Sequence, residues 1–238
     1  MKKYFLSLLL PILCVPLLAA SLQQAEQSYR EGRFAAALGA YEDLLGDYPN
    51  DPYLYYNIGN CYFKMGSKGL AVANYYRAFR LAPRDADIRH NLALALADGG
   101  ERLVPQGVPE ILHSAFFWLT AAELKGTLYI VWWLFCLVTI FWLFKHKYGK
   151  VVLVVAGLLI VIAAWYGLRY QVDNMPLAVV ASPVAELRSG PGANFPASAN
   201  ISQGHLLLLQ DSRDNWQEVV VKSQGIEGWI NAADLEKI

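Results

Sequence analysis

Cysteine and histidine, the residues most often used for metal binding and nucleophilic catalysis, are few and scattered in this 238-residue chain. Cys14, Cys61 and Cys136 form no CxxC pair, so we expect neither a disulfide framework nor a zinc site. The four histidines show no HExxH or other paired spacing. A nucleophile elbow, a P-loop and a GxGxxG loop are also missing from the sequence. We therefore expect no catalytic site, no cofactor and no metal.

Residues 22–98 instead carry a repeat with a period of about 34 residues. Small residues recur where two helices must approach closely, and large ones where neighbouring helices pack. A proline ends the second helix, because it cannot donate the helical hydrogen bond. The pattern resembles the tetratricopeptide repeat, or TPR. In the repeat that begins at Pro52 it consists of Tyr55, Ile58, Gly59, Tyr62, Ala71, Tyr75, Ala78 and Pro83.

The flanking sequence extends this pattern in both directions. One period earlier, the second half of the repeat matches well through Ala37, Tyr41 and Pro49, and the first half is weaker because its helix overlaps the signal peptide. A single capping helix follows the second repeat, through Leu92 and Leu96. We therefore expect an all-α TPR solenoid of two repeats and a cap.

The TPR resemblance implies that the first helices of the repeats form a concave face that binds peptides or proteins. The predicted partner-binding residues on that face are Tyr53, Tyr56, Asn57, Asn60, Lys64 and Asn91. Asn57 and Asn91 share one repeat position, at which some TPR domains hold a peptide's C-terminal carboxylate; a generic surface asparagine is the alternative. Arg77, Arg80 and Arg84, on the second helix, are interpreted as a solvent-exposed outer face.

Three apolar segments predict contact with a membrane. Residues 1–21 have a basic start, an apolar run and small residues at the end, which is typical of a secretory signal peptide. Residues 120–144 and 151–168 are apolar on all sides. At about 1.5 Å per residue they are long enough to cross a hydrocarbon core of about 30 Å. Thr120 and Glu123 predict a capping box at the start of the first span. Residues 99–119 are predicted to be a linker followed by a short interfacial helix.

The loop between the two spans, KHKYGK at residues 145–150, predicts the topology. Short loops rich in Lys and Arg remain in the cytoplasm. The signal peptide sends the repeat segment across the membrane, and the helical hairpin returns the chain to the same outer side. We therefore expect a two-span protein of the bacterial inner membrane. Both soluble segments would face outward, into the periplasm of a diderm.

Residues 178–238, after a linker at 169–177, contain short β-rich runs separated by turns such as SGPG and SQG. This spacing predicts a small all-β barrel. The segment resembles the bacterial SH3 family through Leu187-Arg188, Gly190-Pro191, Trp216 and Gly228-Trp229-Ile230. The resemblance implies a protein or cell-wall peptide as ligand. Candidate groove residues are Pro191, Phe195 and Trp216.

The order of these segments resembles the BatE proteins of the aerotolerance operon. The fold class is thus a multidomain membrane protein: TPR solenoid, two-helix transmembrane hairpin and SH3-like barrel. The resemblance implies a non-enzymatic scaffold that assembles with von Willebrand A-domain membrane proteins and a MoxR-type AAA+ ATPase, and supports envelope integrity or stress tolerance. The alternative is a cell-wall sensor or tether whose barrel binds peptidoglycan. The formal net charge of zero gives no sign of a nucleic-acid partner.

Overall fold

The computed structural model describes residues 20–238, so the predicted signal peptide lies almost entirely outside the described residues. The chain divides into two compact units. The first unit combines the chain up to Leu103 with the segment Pro176–Ile238, and the second is Val104–Met175. The first unit is therefore built from two segments that are separated in sequence by the whole of the second.

The first unit begins with a TPR-like all-α region. Its helices are α1 at residues 20–30, α2 at Phe34–Asp47, α3 at Pro52–Lys64, α4 at Lys68–Leu81 and α5 at Ala86–Asp98. The helix α4 begins and ends one repeat period after α2, and α5 begins and ends one period after α3. The helices thus confirm the repeat period predicted from the sequence.

The turns between the helices repeat with the same period. Gly32, Gly66 and Gly100 each have a positive φ, of 76°, 83° and 74°, which glycine adopts without the penalty that a Cβ imposes. Asp51 and Asp85 cap α3 and α5, and their carboxylates accept backbone N–H bonds from the first turn. Each repeat therefore carries its own stop and start signals.

Packing between the helices follows the predicted alternation of small and large residues. A Cβ on Gly59 would lie 2.7 Å from the ring of Tyr75, so only glycine allows α3 and α4 to approach this closely. The N-terminal helices enclose a core of Ala25, Ala37, Tyr41, Leu44, Leu54, Ile58 and Cys61.

The first unit continues with the C-terminal segment, an antiparallel sheet of seven strands in the order β3-β2-β6-β5-β4-β1-β7. The strands are β1 Leu177–Val180, β2 Val184–Arg188, β3 Ala197–Ser202, β4 Leu206–Arg213, β5 Trp216–Val221, β6 Ile226–Asn231 and β7 Leu235–Lys237. A 3-10 turn at Ala232–Asp234 precedes β7. Within the described residues β3 and β7 stand at open edges, so strand pairing forms an open sheet.

One face of α4 packs against this sheet, at β1 and β7. A Cβ on Gly69 would lie 2.1 Å from the carbonyl oxygen of Val180, so the glycine lets the backbones of α4 and β1 meet. Arg77 forms an ion pair with Glu236 of β7, with its Nη2 atom 2.5 Å from Oε1. The prediction of a solvent-exposed outer face is wrong for Arg77, because this arginine joins the helices to the sheet.

The second unit contains a short helix α6 at Glu110–Phe116 and two long helices, α7 at Ala121–Lys145 and α8 at Gly149–Asp173. By length and composition α7 and α8 could each cross a membrane. They pack on each other through Val131, Val155 and Ile162. The predicted capping box at Thr120 is confirmed: its hydroxyl accepts from Glu123 N, and its own N–H donates to the Glu123 carboxylate.

The C-terminal end of α8 differs from the boundary expected from hydropathy, whereas α6 lies within the segment predicted to contain a short helix. The helix α8 continues to Asp173, through the first five residues of the segment predicted as a linker. The helix α6 accounts for seven residues of the predicted interfacial segment.

Candidate functional site

A cavity of about 290 Å³ opens on the face that α1, α3 and α5 form in the first unit. We call it the TPR groove. Its lining combines five aromatic or aliphatic side chains with two asparagines and one lysine. These residues are Tyr29, Tyr56, Asn60, Phe63, Lys64, Tyr75, Asn91 and Leu94.

A hydrogen-bond network in the TPR groove joins α3, α4 and α5. Asn60 Oδ1 accepts from the Tyr75 hydroxyl at 2.7 Å and from Asn91 Nδ2 at 3.1 Å. Asn91 Nδ2 also donates to the Tyr56 hydroxyl at 2.9 Å. The network therefore fixes the orientation of both asparagine amides at the wall of the cavity.

This orientation leaves the groove rich in donors. The Asn60 oxygen is used as an acceptor twice, so its amide N–H groups are what this side chain can offer to a ligand. The Tyr56 oxygen accepts from Asn91, and its own proton can be donated. Lys64 adds an exposed ammonium group. Carboxylates and peptide carbonyls are the groups that complement such a set.

Two tyrosines of the groove, the buried Tyr75 and the half-buried Tyr29, keep their protons. Burial raises the pKa of the Tyr75 phenol above its ordinary value of 10.0, and the neighbouring Tyr56 adds to this effect. Burial likewise raises the pKa of Tyr29, with Cys61 as the next cause. Both hydroxyls therefore remain neutral hydrogen-bond donors at physiological pH.

Four of the six residues predicted for the concave face line the TPR groove: Tyr56, Asn60, Lys64 and Asn91. Tyr53 lies outside the lining, is 56% exposed and places its hydroxyl 3.4 Å from the Asp85 carboxylate. Asn57 is half-buried and is not part of the lining. Asn57 and Asn91 thus lie in different surroundings although they share one repeat position. In the groove, Asn91 donates a hydrogen bond to Asn60 and not to Asn57.

Sequence reasoning missed Tyr29, Tyr75 and Leu94 as groove residues. Tyr29 lies one repeat period before Phe63, and Leu94 lies one period after Asn60, so the repeat itself held the signal for both. Tyr75 was assigned to interhelix packing, and it also reaches the cavity through its hydroxyl.

The three candidate residues on the sheet lie around Arg188. This arginine donates from Nη1 to the Phe195 carbonyl at 2.6 Å, and its guanidinium carbon lies 6.0 Å from the centre of the Trp216 ring. The Phe195 ring covers Gly190, where a Cβ would lie 2.5 Å from a ring carbon. Pro191 is half-buried in the same turn. Arg188 thus fixes the turn that carries Pro191 and Phe195 beside Trp216.

Residues 20–238 contain no group of three or more His, Cys, Asp or Glu side chains that could hold a metal ion. The thiols of Cys61 and Cys136 are both free.

No protein-family model matches the chain, and no curated protein matches it. Among solved structures, the chain is similar to the type III secretion translocator chaperone SycD of Yersinia enterocolitica. The identity is 16% over 62% of this chain and 83% of that chain, with a TM-score of 0.34. It is also similar to yeast Tom70, at 14% identity over 77% of this chain and 32% of that chain, with a TM-score of 0.32. The TPR-like character of the helices follows from the chain's own helix repeat.

Proposed function

We propose that this chain is a membrane-anchored adaptor without enzymatic activity, and that its TPR groove binds an extended segment of a partner protein. The observation that carries the proposal is the network of Asn60, Asn91, Tyr56 and Tyr75, which holds donors at the wall of a cavity lined by aromatic rings. An extended peptide supplies the matching carbonyl acceptors, and its side chains can pack on the rings.

In this proposal both soluble segments lie on the outer side of the inner membrane. Support comes from the composition of the first unit, which joins the chain before the two apolar helices to the chain after them. Segments packed into one body must lie on one side of a bilayer, so the chain between these two segments crosses it an even number of times. The basic composition of the loop at 145–150 supports a cytoplasmic position for the turn of the hairpin.

The C-terminal sheet is, in the same proposal, an SH3-like barrel that docks a second protein. Support comes from its core, which joins strands from opposite edges of the sheet. Ile201 on β3 is a buried member of this core, and Leu235 on β7 packs against it. A sheet whose two edge strands share one core must curl toward closure.

The partners in this proposal are a von Willebrand A-domain membrane protein and a MoxR-type AAA+ ATPase, in a BatE-like complex that supports envelope integrity or stress tolerance. The order of segments supports it: TPR-like helices, two apolar helices and then a sheet. Capture of peptidoglycan fragments in place of these proteins would favour the tether function instead.

Photo-cross-linking in intact cells tests the groove directly. A benzoylphenylalanine at Phe63, inside the TPR groove, should form covalent adducts with a partner protein. The matched control is the same probe at Val184, a β2 residue that is 55% exposed. Lys64→Glu in the same chain should remove the Phe63 adducts, because it reverses the charge beside the donors. Absence of adducts at Phe63, or adducts that persist with Lys64→Glu, would overturn the proposal.

A further inference from the structure

The short helix α6 and its flanks carry apolar residues on two faces. Within α6, one face is apolar and exposed at helical spacing (i, i+1, i+4), and in it Ile111 is 77% exposed and Leu112 is 60% exposed. We call this face, with the exposed apolar residues that flank the helix, the outer stripe; it consists of Ile111, Leu112 and Ala115 in the helix and Val108 and Trp118 beside it. Water would meet only apolar surface along this stripe.

The opposite face of α6 is held against α8 within the same unit. Trp165 Nε1 donates to the carbonyl oxygen of Phe116 at 3.1 Å. The guanidinium carbon of Arg169 lies 4.3 Å from the centre of the Phe117 ring. His113, on this inner face, is buried. The helix is therefore fixed to α8, with its outer stripe facing away from the packed side.

The contact with Trp165 sets the level of α6 along the hairpin. Trp165 belongs to the apolar run that ends at Leu168, so it lies about 4–5 Å inside that end at a rise of about 1.5 Å per residue. The end of α6 therefore reaches the level of the apolar run, at the end of the hairpin remote from the basic loop.

The hydrogen bond from Trp165 also gives a partner to a carbonyl group at the end of α6, which such a group requires in a nonpolar medium. The last carbonyl groups of a helix lack partners within the helix. In hydrocarbon such a group needs a partner from the protein, because water is absent. The Trp165 indole supplies one to the Phe116 carbonyl, in the last turn of α6.

We infer that α6 is a third membrane-embedded element, whose outer stripe contacts lipid acyl chains. The occupant is lipid because Trp118 lies only three residues before α7 begins at Ala121, so the stripe continues into the apolar surface of a span. This inference does not depend on what the TPR groove binds.

Spin labels on the full chain in phospholipid nanodiscs test the inference. In a chain whose three native cysteines are replaced, single cysteines at 111, 112 and 115 would carry the label, and Glu110→Cys would serve as the exposed polar control. Labels on the stripe should collide with oxygen several-fold more often, relative to a water-soluble nickel complex, than the label at 110. A preference for nickel would place the stripe in water. Protection from both reagents would mean that protein covers it, and either result overturns the inference.

A second comparison tests the hold of α8 on α6. Trp165→Phe keeps one aromatic ring but removes the indole N–H that bonds the Phe116 carbonyl, so the label at 112 should become more mobile. Trp133→Phe is the control, because Trp133 is 68% exposed on α7. Equal mobility in the two variants would show that the Trp165 hydrogen bond does not hold α6 in place.

Discussion

At the residue scale, Asn60 is the side chain on which the TPR groove depends most. Its oxygen accepts hydrogen bonds from two other helices, at Tyr75 and Asn91. Asn60→Ala should destabilise the first unit by about 1–3 kcal/mol, because two donors lose their acceptor. Asn57→Ala is the matched control one turn earlier on α3, and it should change stability little. Thermal unfolding of the two purified variants measures the difference, and an equal loss in both would contradict the account.

The buried thiol of Cys61 predicts how stability depends on alkaline pH. Burial, with Glu42 as the next cause, raises the pKa of Cys61 from 9.0 to about 11 in the folded chain. As the pH rises, the Cys61 thiol therefore loses its proton in the unfolded chain before it does so in the folded chain. The contribution of the neutral thiol to the free energy of unfolding is fully present below pH 9 and is lost as the pH rises to about 11.

Unfolding midpoints measured between pH 8 and 11 test this dependence. Cys61→Ala removes the thiol, so the fall in midpoint should be shallower in the variant than in the unchanged chain. The slopes of the two curves are compared, and not the midpoints themselves, because Cys61→Ala also lowers the midpoint by an amount that does not depend on pH. Identical slopes would show that the thiol titrates alike in the folded and unfolded states.

The repeat pattern predicted the groove's helices, and it could not predict the choice between Asn57 and Asn91. Both occupy one repeat position, and the period treats them as equal. The choice depends on which asparagine meets the Asn60 oxygen, and that contact joins residues that are 31 positions apart. Hydrogen bonds between helices depend on the crossing angle and distance of the helices, and a periodic sequence pattern does not determine either.

At the element scale, α4 differs from the equivalent helix α2 because it has two packing faces. One faces the neighbouring helices, and the other faces β1 and β7 of the sheet. The repeat position that Gly69 occupies in α4 is Ala35 in α2. The glycine at position 69, where the equivalent residue of α2 is alanine, was the sequence signal that another backbone lies close to α4. The residues around it do not indicate that this backbone is a strand more than a hundred residues away.

Gly69→Ala should therefore weaken the contact between α4 and the sheet. The added Cβ would meet the Val180 oxygen, and such overpacking costs about 1–3 kcal/mol. Gly39→Ala is the matched control within α2, where no atom lies within 4 Å of the added Cβ.

The control should instead gain up to about 1 kcal/mol from the better helix propensity of alanine. Chemical denaturation of the two variants compares them directly, and we expect opposite signs. A gain in stability for Gly69→Ala would show that α4 and β1 do not meet as closely as described.

At the scale of the whole molecule, the central structural fact is that one unit contains the described chain on both sides of the two apolar helices. The sequence predicted the soluble segments separately, from the helix repeat and the β-rich runs, and it predicted that both lie outside the cytoplasm. It did not predict that they form one body, because that depends on contacts such as Arg77 with Glu236, which join residues 159 positions apart. The adaptor is therefore expected to present its groove and its sheet together.

Cysteine labelling in intact cells tests the proposed topology. Asp47→Cys and Lys222→Cys place exposed thiols on the two segments of the first unit, and Lys147→Cys places one in the loop of the hairpin. A membrane-impermeant maleimide that has passed the outer envelope should label 47 and 222. It should label 147 only after the inner membrane is opened. Labelling of 47 and 222 from opposite sides of the inner membrane would contradict the single outer body.

The most direct test of the adaptor is to cross-link partners to a C-terminally tagged chain in intact cells, extract them in mild detergent and identify them by mass spectrometry. We expect a von Willebrand A-domain protein and an AAA+ ATPase to be enriched with the unchanged chain. Both should also be enriched with the control Lys222→Glu on the sheet, and the partner that binds in the TPR groove should be lost with Lys64→Glu. Recovery of muropeptides or wall enzymes in place of these proteins, or equal capture by all three chains, would contradict it.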